Sequence, residues 1–162
     1  MAKAYFAGGC SWCMTPAFKQ YGVENVVCGY SGGKEKDPAY EDVKAQKTGH
    51  RETIMLEYDP ERVKYEKLLD IYFASVDPFD GGGQFIDRGR SYTLAIYYTS
   101  DEERELASSR IRKLALEAGK EVCVSLEPFV SFYEAEEYHQ DYYLKHPEEF
   151  EKELADSGRK PG

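Results

Sequence analysis

Segments that predict strands alternate along this chain with segments that predict helices, and this order limits the fold more than any other feature of the sequence. Apolar stretches predict strands at 3–7, 24–30, 53–58, 92–98 and 121–126, and helical spacing predicts helices at 11–21, from 59 onwards, at 101–118 and at 135–155. Such an alternation favours an α/β or α+β fold, in which helices cover a sheet. The 162 residues suffice for one hydrophobic core. We therefore expect a single domain over 1–155 and a charged, frayed tail over 156–162.

Local signals set several of the predicted boundaries. Pro60 follows Asp59 and predicts the start of a helix, because proline is favoured at the first helical position. Ser100 is a predicted N-cap for the helix at 101–118, and Gly119 is its predicted stop.

Two predicted connections, 31–51 and 75–91, are unusually long for a compact domain. Both contain aromatic and charged residues and lack the Gly/Ser-rich composition of a linker. We therefore expect these connections to serve function.

The stretch "GGCSWC" places Cys10 after a predicted strand and two glycines, at the start of a predicted helix. Free N–H groups and the helix dipole favour a thiolate there, which predicts a nucleophile. A buried core thiol is the alternative for any single cysteine, and the spacing of Cys10 and Cys13 also fits a dithiol redox pair. Cys28 and Cys123 are isolated and the three histidines are scattered, so we expect no metal site.

Glu52 is the second candidate for chemistry. It precedes Ile54, Leu56 and Tyr58 on the same face of a predicted strand. A carboxyl on an apolar face should have a raised pKa, and it can then act as a general acid near neutral pH. The alternation alone also allows Glu52 to lie at the hydrated end of the strand.

Three further polar residues lie in or beside the long connections. Tyr40 and Tyr92 offer phenol donors, although in a chain with 14 tyrosines packing is the better explanation of either one taken alone. Asp87, in "FIDRGRSY", taken alone indicates a turn.

Charge and composition exclude several classes of partner. The formal net charge is −9 and there is no basic run, so we expect neither nucleic acid nor a membrane surface as a partner. We find no secretory signal and no segment with the length of a membrane span. Four cysteines are too sparse for a disulfide-stapled secreted fold, and this favours a reducing cytoplasm.

Six short motifs occur in an order that resembles one known family, the A-type peptide methionine sulfoxide reductases. The resemblance extends from about Tyr5 to Tyr143 and is marked by "GCSW" (9–12), "GYSGG" (29–33), "DPAY" (37–40), "TGHRE" (48–52), "DRGRSY" (87–92) and "HQDY" (139–142). It implies a ferredoxin-like α/β plait with additional elements. It also implies reduction of methionine-(S)-sulfoxide, protein-bound or free, through a cysteine sulfenic acid, without a metal or organic cofactor.

The resemblance assigns a role to each matching residue. Cys10 would be the nucleophile and Glu52 the acid, while Tyr40 and Tyr92 would donate hydrogen bonds to the sulfoxide oxygen, Asp87 would support the pocket and Trp12 would hold the substrate methyl group. Ser11 stands where the family usually has phenylalanine.

The cysteine-bearing C-terminal tail of many relatives is absent from this sequence. Cys13 is the candidate resolving cysteine, but we expect an external thiol to reduce the sulfenic acid, either glutathione with glutaredoxin or thioredoxin. Two other functions remain open from sequence: a dithiol–disulfide oxidoreductase that uses Cys10 and Cys13, and a non-catalytic module that binds oxidised methionine.

Overall fold

The computed structural model of the chain describes residues 2–9, 11–33, 43, 49–84 and 87–135, with backbone alone for 11–13 and 87–88. In this part of the chain the strands are β1 (Ala2–Gly8), β2 (Asn25–Ser31), β3 (Arg51–Tyr58), β4 (Gly83–Gln84), β5 (Asp87–Arg88), β6 (Leu94–Tyr98), β7 (Val124–Pro128) and β8 (Tyr133–Glu134). The helices are α1 (Ser11–Gln20), α2 (Tyr65–Ser75) and α3 (Asp101–Ala118), and a 3-10 turn spans Arg90–Tyr92. No helix among these is long and apolar enough to cross a membrane.

Six of the described strands form one mixed sheet in the order β7-β6-β1-β3-β2-β8. β6 and β7 are parallel, and the other pairs are antiparallel. β4 and β5 form a separate hairpin. The predicted mixed α/β class is therefore confirmed. The predicted helix at 135–155, apart from Ala135, and the predicted tail lie outside the described residues.

The sheet is packed on both faces. The larger core lies under the helices and contains Phe6, Ile54, Leu56, Leu68 and Phe18 among others. A second cluster on the opposite face contains Tyr5, Ala7, Met55, Ala95 and Tyr97, against which Phe129 and Phe132 pack. β3 contributes to both cores, because alternate residues of a strand point to opposite faces.

Gly8 allows α1 to lie close to the end of β1. A Cβ added at Gly8 would come within 2.9 Å of both Met14 Cε on α1 and Val76 Cγ1 after α2. Real Cβ atoms essentially never come this close to another atom, so a larger residue at Gly8 would force the ends of the Met14 and Val76 side chains to move. The first of the two glycines in "GGC" therefore lies in close contact with side chains of α1 and of the segment after α2.

The cap signals of α3 are confirmed. The Ser100 hydroxyl accepts a hydrogen bond from the Glu103 N–H, as expected of an N-cap. Gly119 has φ 64°, a left-handed conformation that ends the helix.

The predicted helix start at Pro60 is wrong. The Asp59 carbonyl accepts hydrogen bonds from Arg62 and Val63, and its carboxyl accepts one from the Glu61 N–H. These bonds form an isolated turn, and α2 begins only at Tyr65. Proline after aspartate fits a turn as well as a first helical position, so the local signal was ambiguous.

Two predicted strand starts are also wrong. The strand predicted from 92 begins at Leu94, because Tyr92 belongs to the preceding 3-10 turn. The strand predicted from 121 begins at Val124, because the backbone N–H of Cys123 donates to the Pro78 carbonyl instead of to a neighbouring strand.

Two buried tyrosines of α2 allow a prediction about stability. Among the described residues the Tyr65 hydroxyl is buried without a hydrogen-bond partner, whereas the Tyr72 hydroxyl donates to the Ala7 carbonyl at 2.6 Å. Tyr65→Phe should leave the free energy of unfolding unchanged or raise it slightly, because no bond is lost. Tyr72→Phe should lower it by about 1 kcal/mol, because the hydrogen bond to the Ala7 carbonyl is lost. Denaturant unfolding of both variants measures the difference, and equal losses would contradict the hydrogen-bond assignment.

Candidate functional site

The site predicted from the sequence lies at the carboxyl end of β1. β1 ends at Gly8, Gly9 has φ 87°, and α1 begins at Ser11. The predicted passage from strand through two glycines to a helix is therefore present in the described backbone. Cys10 itself lies outside the described residues, and Tyr40 does as well. Trp12 and Cys13 belong to the first turn of α1, with only their backbone described.

Glu52 is buried beside this strand end. Its exposed fraction is 6%, which decides between the two positions that the sequence left open. β3 pairs Glu52 with Tyr30 of β2. On the other side of β3, Ile54 pairs with Phe6 of β1. Because these two strands are antiparallel, two residues before Ile54 correspond to two residues after Phe6, so Glu52 is level with Gly8.

Tyr92 reaches the same strand end from the opposite side of β1. It is 9% exposed and closes the 3-10 turn, in which its N–H donates to the Gly89 carbonyl at 3.0 Å. Two residues later Leu94 pairs with Gly8. Glu52 and Tyr92 therefore flank the point from which the chain continues through Gly9 to Cys10.

The β4–β5 hairpin determines where the backbone of Asp87 lies. Asp87 pairs with Gln84 across the hairpin, and the Gly89 N–H donates to the Gly82 carbonyl. The side chain of Gln84 is fully buried: its amide oxygen accepts from the Asp77 N–H and its amide nitrogen donates to the Asp77 carbonyl. Sequence reasoning missed Gln84, because a buried amide that anchors a loop has no periodic signature.

His50, in the motif "TGHRE" (48–52), packs against the motif "GYSGG" (29–33). It is fully buried, its Nδ1 accepts a hydrogen bond from the Gly33 N–H at 3.3 Å, and its ring contacts the Tyr133 ring edge to face. A Cβ at Gly33 would lie 2.5 Å from the His50 ring. From the sequence, His50 was considered only in excluding a metal site. Its place after Gly49 in "TGHRE" was the available signal.

The two cysteines with described side chains, Cys28 and Cys123, are both in the thiol form. Cys28 is buried under α1, with its Sγ 3.9 Å from the Thr15 hydroxyl. Cys123 is half-buried, and its Sγ contacts the Phe79 carbonyl at 3.5 Å. Cys28 lies in a strand as predicted, whereas Cys123 precedes β7.

This arrangement can serve proton transfer and hydrogen bonding to an oxygen. A buried carboxyl can deliver a proton and a phenol can donate to developing negative charge. The motif "HQDY" lies outside the described residues, so the structure adds nothing to its interpretation.

Comparisons with known proteins point to the same family over nearly the whole chain. A family model described as peptide methionine sulfoxide reductase matches residues 2–161. The chain is 46% identical over 160 residues to the peptide methionine sulfoxide reductase MsrA of Bacillus licheniformis, which covers 96% of this chain and 88% of that protein.

Two solved structures have a similar fold. Mxr1 from Saccharomyces cerevisiae in reduced form gives a TM-score of 0.85 at 27% identity, covering 90% of this chain and 86% of that chain. Methionine sulfoxide reductase A of Corynebacterium diphtheriae gives a TM-score of 0.77 at 28% identity, covering 90% of this chain and 74% of that one.

Proposed function

This chain belongs to the peptide methionine sulfoxide reductase family, as a peptide-methionine (S)-S-oxide reductase, and from this we propose that the reaction occurs at the carboxyl end of β1 with Cys10 as the nucleophile. The observation that carries the proposal is the burial of Glu52 level with Gly8, on one side of β1, while Tyr92 lies on the other side. The start of α1 at Ser11 supports a thiolate at the preceding residue, because helix N-termini stabilise negative charge.

The proposed chemistry needs both a thiolate and a proton donor. The Cys10 thiolate attacks the sulfoxide sulfur and forms a sulfur–sulfur bond, while Glu52 gives its proton to the sulfoxide oxygen. The sulfur–oxygen bond then breaks as the oxygen bonds to Cys10 Sγ, and the sulfur–sulfur bond breaks with its electron pair going to the departing thioether. The oxygen ends on Cys10, so that a thiol and a sulfoxide become a sulfenic acid and a thioether. Burial of Glu52 supports this role, because removal from water favours the neutral carboxylic acid over the carboxylate.

The other proposed roles concern binding of the sulfoxide. Tyr92 and Tyr40 donate hydrogen bonds to the oxygen as charge develops on it. Trp12 holds the substrate methyl group, and Asp87 supports the pocket. The buried position of Tyr92 beside β1 supports its role directly. The hairpin pairing of Asp87, which leads into the turn of Tyr92, supports a place near the same pocket.

We also propose that the central part of the sheet is a ferredoxin-like plait with additions. β1, α1, β2, β3, α2 and β6 follow one another as β-α-β-β-α-β, and their strands lie in the order β6-β1-β3-β2. β7, β8, the β4–β5 hairpin and α3 are then the additions.

Recycling of Cys10 is proposed to depend on an external thiol. Cys28 is 2% exposed and inaccessible, and Cys13 lies in the same helix turn that follows Cys10. Glutathione with glutaredoxin, or thioredoxin, would reduce the sulfenic acid.

The proposed substrates are oxidised proteins or free methionine sulfoxide. We place the enzyme in the cytoplasm, where reducing thiols of this kind are maintained.

A single-turnover experiment tests this scheme. Reduced enzyme is treated with one equivalent of substrate, and methionine and remaining free thiols are counted. We expect one equivalent of methionine and the loss of one thiol, since a sulfenic acid persists without a partner. Loss of two thiols would indicate an internal disulfide, and repeating the count with Cys13→Ser would then show whether Cys13 is the partner. Absence of methionine would contradict the proposed site.

A further inference from the structure

Arg51 makes an unusual set of contacts on the face of the sheet opposite Glu52. Its exposed fraction is 4%. Its Nε donates to the Thr93 hydroxyl at 2.8 Å, and its Nη1 donates to the Tyr97 hydroxyl at 3.0 Å and to the Glu127 carboxylate at 2.7 Å. These acceptors belong to β6, to β7 and to the residue before β6. The side chain therefore extends from β3 across β1 to the far half of the sheet.

The face of the sheet that Arg51 crosses is closely packed. Ala7 of β1 pairs with Ala95 of β6, and both are fully buried in the cluster on this face. Tyr97, whose hydroxyl accepts from Arg51, is buried in the same cluster.

The contacts of Arg51 are those of a charged pair. Burial opposes its charge, but its contacts with Tyr97 and Glu127 hold the pKa of Arg51 above its ordinary value. Burial likewise opposes ionisation of Glu127, but hydrogen bonds from Ser125 and Arg51 hold the pKa of that carboxyl below its ordinary value. Both groups are therefore charged at neutral pH, and charge-assisted hydrogen bonds of this kind are short and directional.

The hydrogen bond between Arg51 and Thr93 joins the backbone neighbours of the two groups that are proposed to act on the sulfoxide oxygen. Arg51 is the backbone neighbour of Glu52, and Thr93 is the backbone neighbour of Tyr92. The Thr93 hydroxyl donates to the Arg90 carbonyl at 2.7 Å and thereby closes the turn that carries Tyr92. The same hydroxyl accepts a hydrogen bond from Arg51, so it acts as a donor and as an acceptor at once.

We propose that Arg51 is a positioning residue for sulfoxide reduction, which sets the separation of Glu52 and Tyr92 across β1 from the opposite face of the sheet. This inference rests on the proposed function, since it takes the roles of Glu52 and Tyr92 from there. Arg51 does not touch the substrate. Its effect arises because misplacing reacting groups by about 1 Å costs about 100-fold in rate.

The test compares the burst rate of methionine formation at saturating substrate in three variants. Arg51→Met should slow the burst about 10- to 100-fold, and Arg51→Lys, which retains the charge and one donor, should recover part of the loss. Thr93→Val keeps the shape and removes the hydroxyl, and with it both the acceptor for Arg51 and the donor to the Arg90 carbonyl. It should slow the burst in the same direction, and it is the substitute test if Arg51→Met does not fold. Alkylation of Cys10 by iodoacetamide should stay at the wild-type rate in all three. An unchanged burst in folded Arg51→Met and in Thr93→Val would overturn the proposal.

Arg110→Met is the matched control. Arg110 pairs with Asp70 between α3 and α2, away from the carboxyl end of β1. Its loss removes an arginine and an ion pair, yet the burst rate should remain at the wild-type value.

A double variant separates positioning from a general loss of structure. If Arg51 acts through Glu52, Arg51→Met will slow Glu52→Gln by clearly less than it slows wild type, because coupled residues are not additive. An equal factor in both backgrounds would show that Arg51 is merely structural. If Glu52→Gln alone leaves the burst unchanged, the assignment of the acid has failed. If Glu52→Gln slows the burst and Arg51→Met does not, only the role of Arg51 has failed.

Discussion

Cys10→Ser should abolish the reduction of the S epimer of methionine sulfoxide while the fold remains intact. A serine hydroxyl does not ionise near neutral pH, and it cannot take up the sulfoxide oxygen as a sulfenic acid. Serine differs from cysteine by a single atom, so we expect α1 to begin at Ser11 in the variant as it does in the wild type. Release of methionine from each epimer is the measurement, and circular dichroism reports the fold.

Cys123→Ser makes the same substitution at a half-buried thiol that has no role in the proposed chemistry. It should reduce the S epimer at the wild-type rate. The R epimer should be left unreacted by wild type and both variants, because a different type of enzyme serves each epimer. Full activity of Cys10→Ser would remove the basis of the proposed site.

Glu52→Gln should slow the chemical step by ~10²- to 10⁴-fold, the usual contribution of general acid catalysis. Glutamine has the same size and retains a hydrogen-bond donor, but it cannot deliver a proton to the departing oxygen. The burst of methionine before steady state is the appropriate measurement, because reduction of the sulfenic acid can limit overall turnover.

Glu57→Gln is the control on the same strand. Glu57 lies at the other end of β3 and accepts a hydrogen bond from Asn25. It should keep the wild-type burst rate, so that a loss in Glu52→Gln alone reports the position of the carboxyl. A wild-type burst in Glu52→Gln would mean that another group protonates the oxygen.

The candidate site was predictable from sequence to the extent that it depends on short motifs. Gly8 and Gly9 before a helix, and Glu52 in line with Ile54, are local patterns, and the structure places them as expected. The buried polar side chains that anchor the loops were not predictable. Gln84 and His50 are fully buried and bonded to backbone seven and 17 residues away along the chain. Neither has a periodicity that would reveal it.

The errors in the predicted elements have the same origin. Asp59 and Pro60 suit a turn as well as a helix start, and only the bonds from Arg62 and Val63 to the Asp59 carbonyl distinguish the two. Tyr92 continues the apolar run of β6 in sequence, yet it closes a 3-10 turn because its N–H is bonded to Gly89.

By itself, the sequence determined the mixed α/β class, the caps of α3 and the family, because periodicity, capping and motif order are properties of neighbouring residues. Only the tertiary structure decided the burial of Glu52, the positions of Glu52 and Tyr92 on either side of the end of β1, and the crossing of Arg51 to Thr93 and Glu127. These depend on strand order and register, which bring together residues tens of positions apart. Such contacts arise from the packing of the whole chain, and no local pattern encodes them.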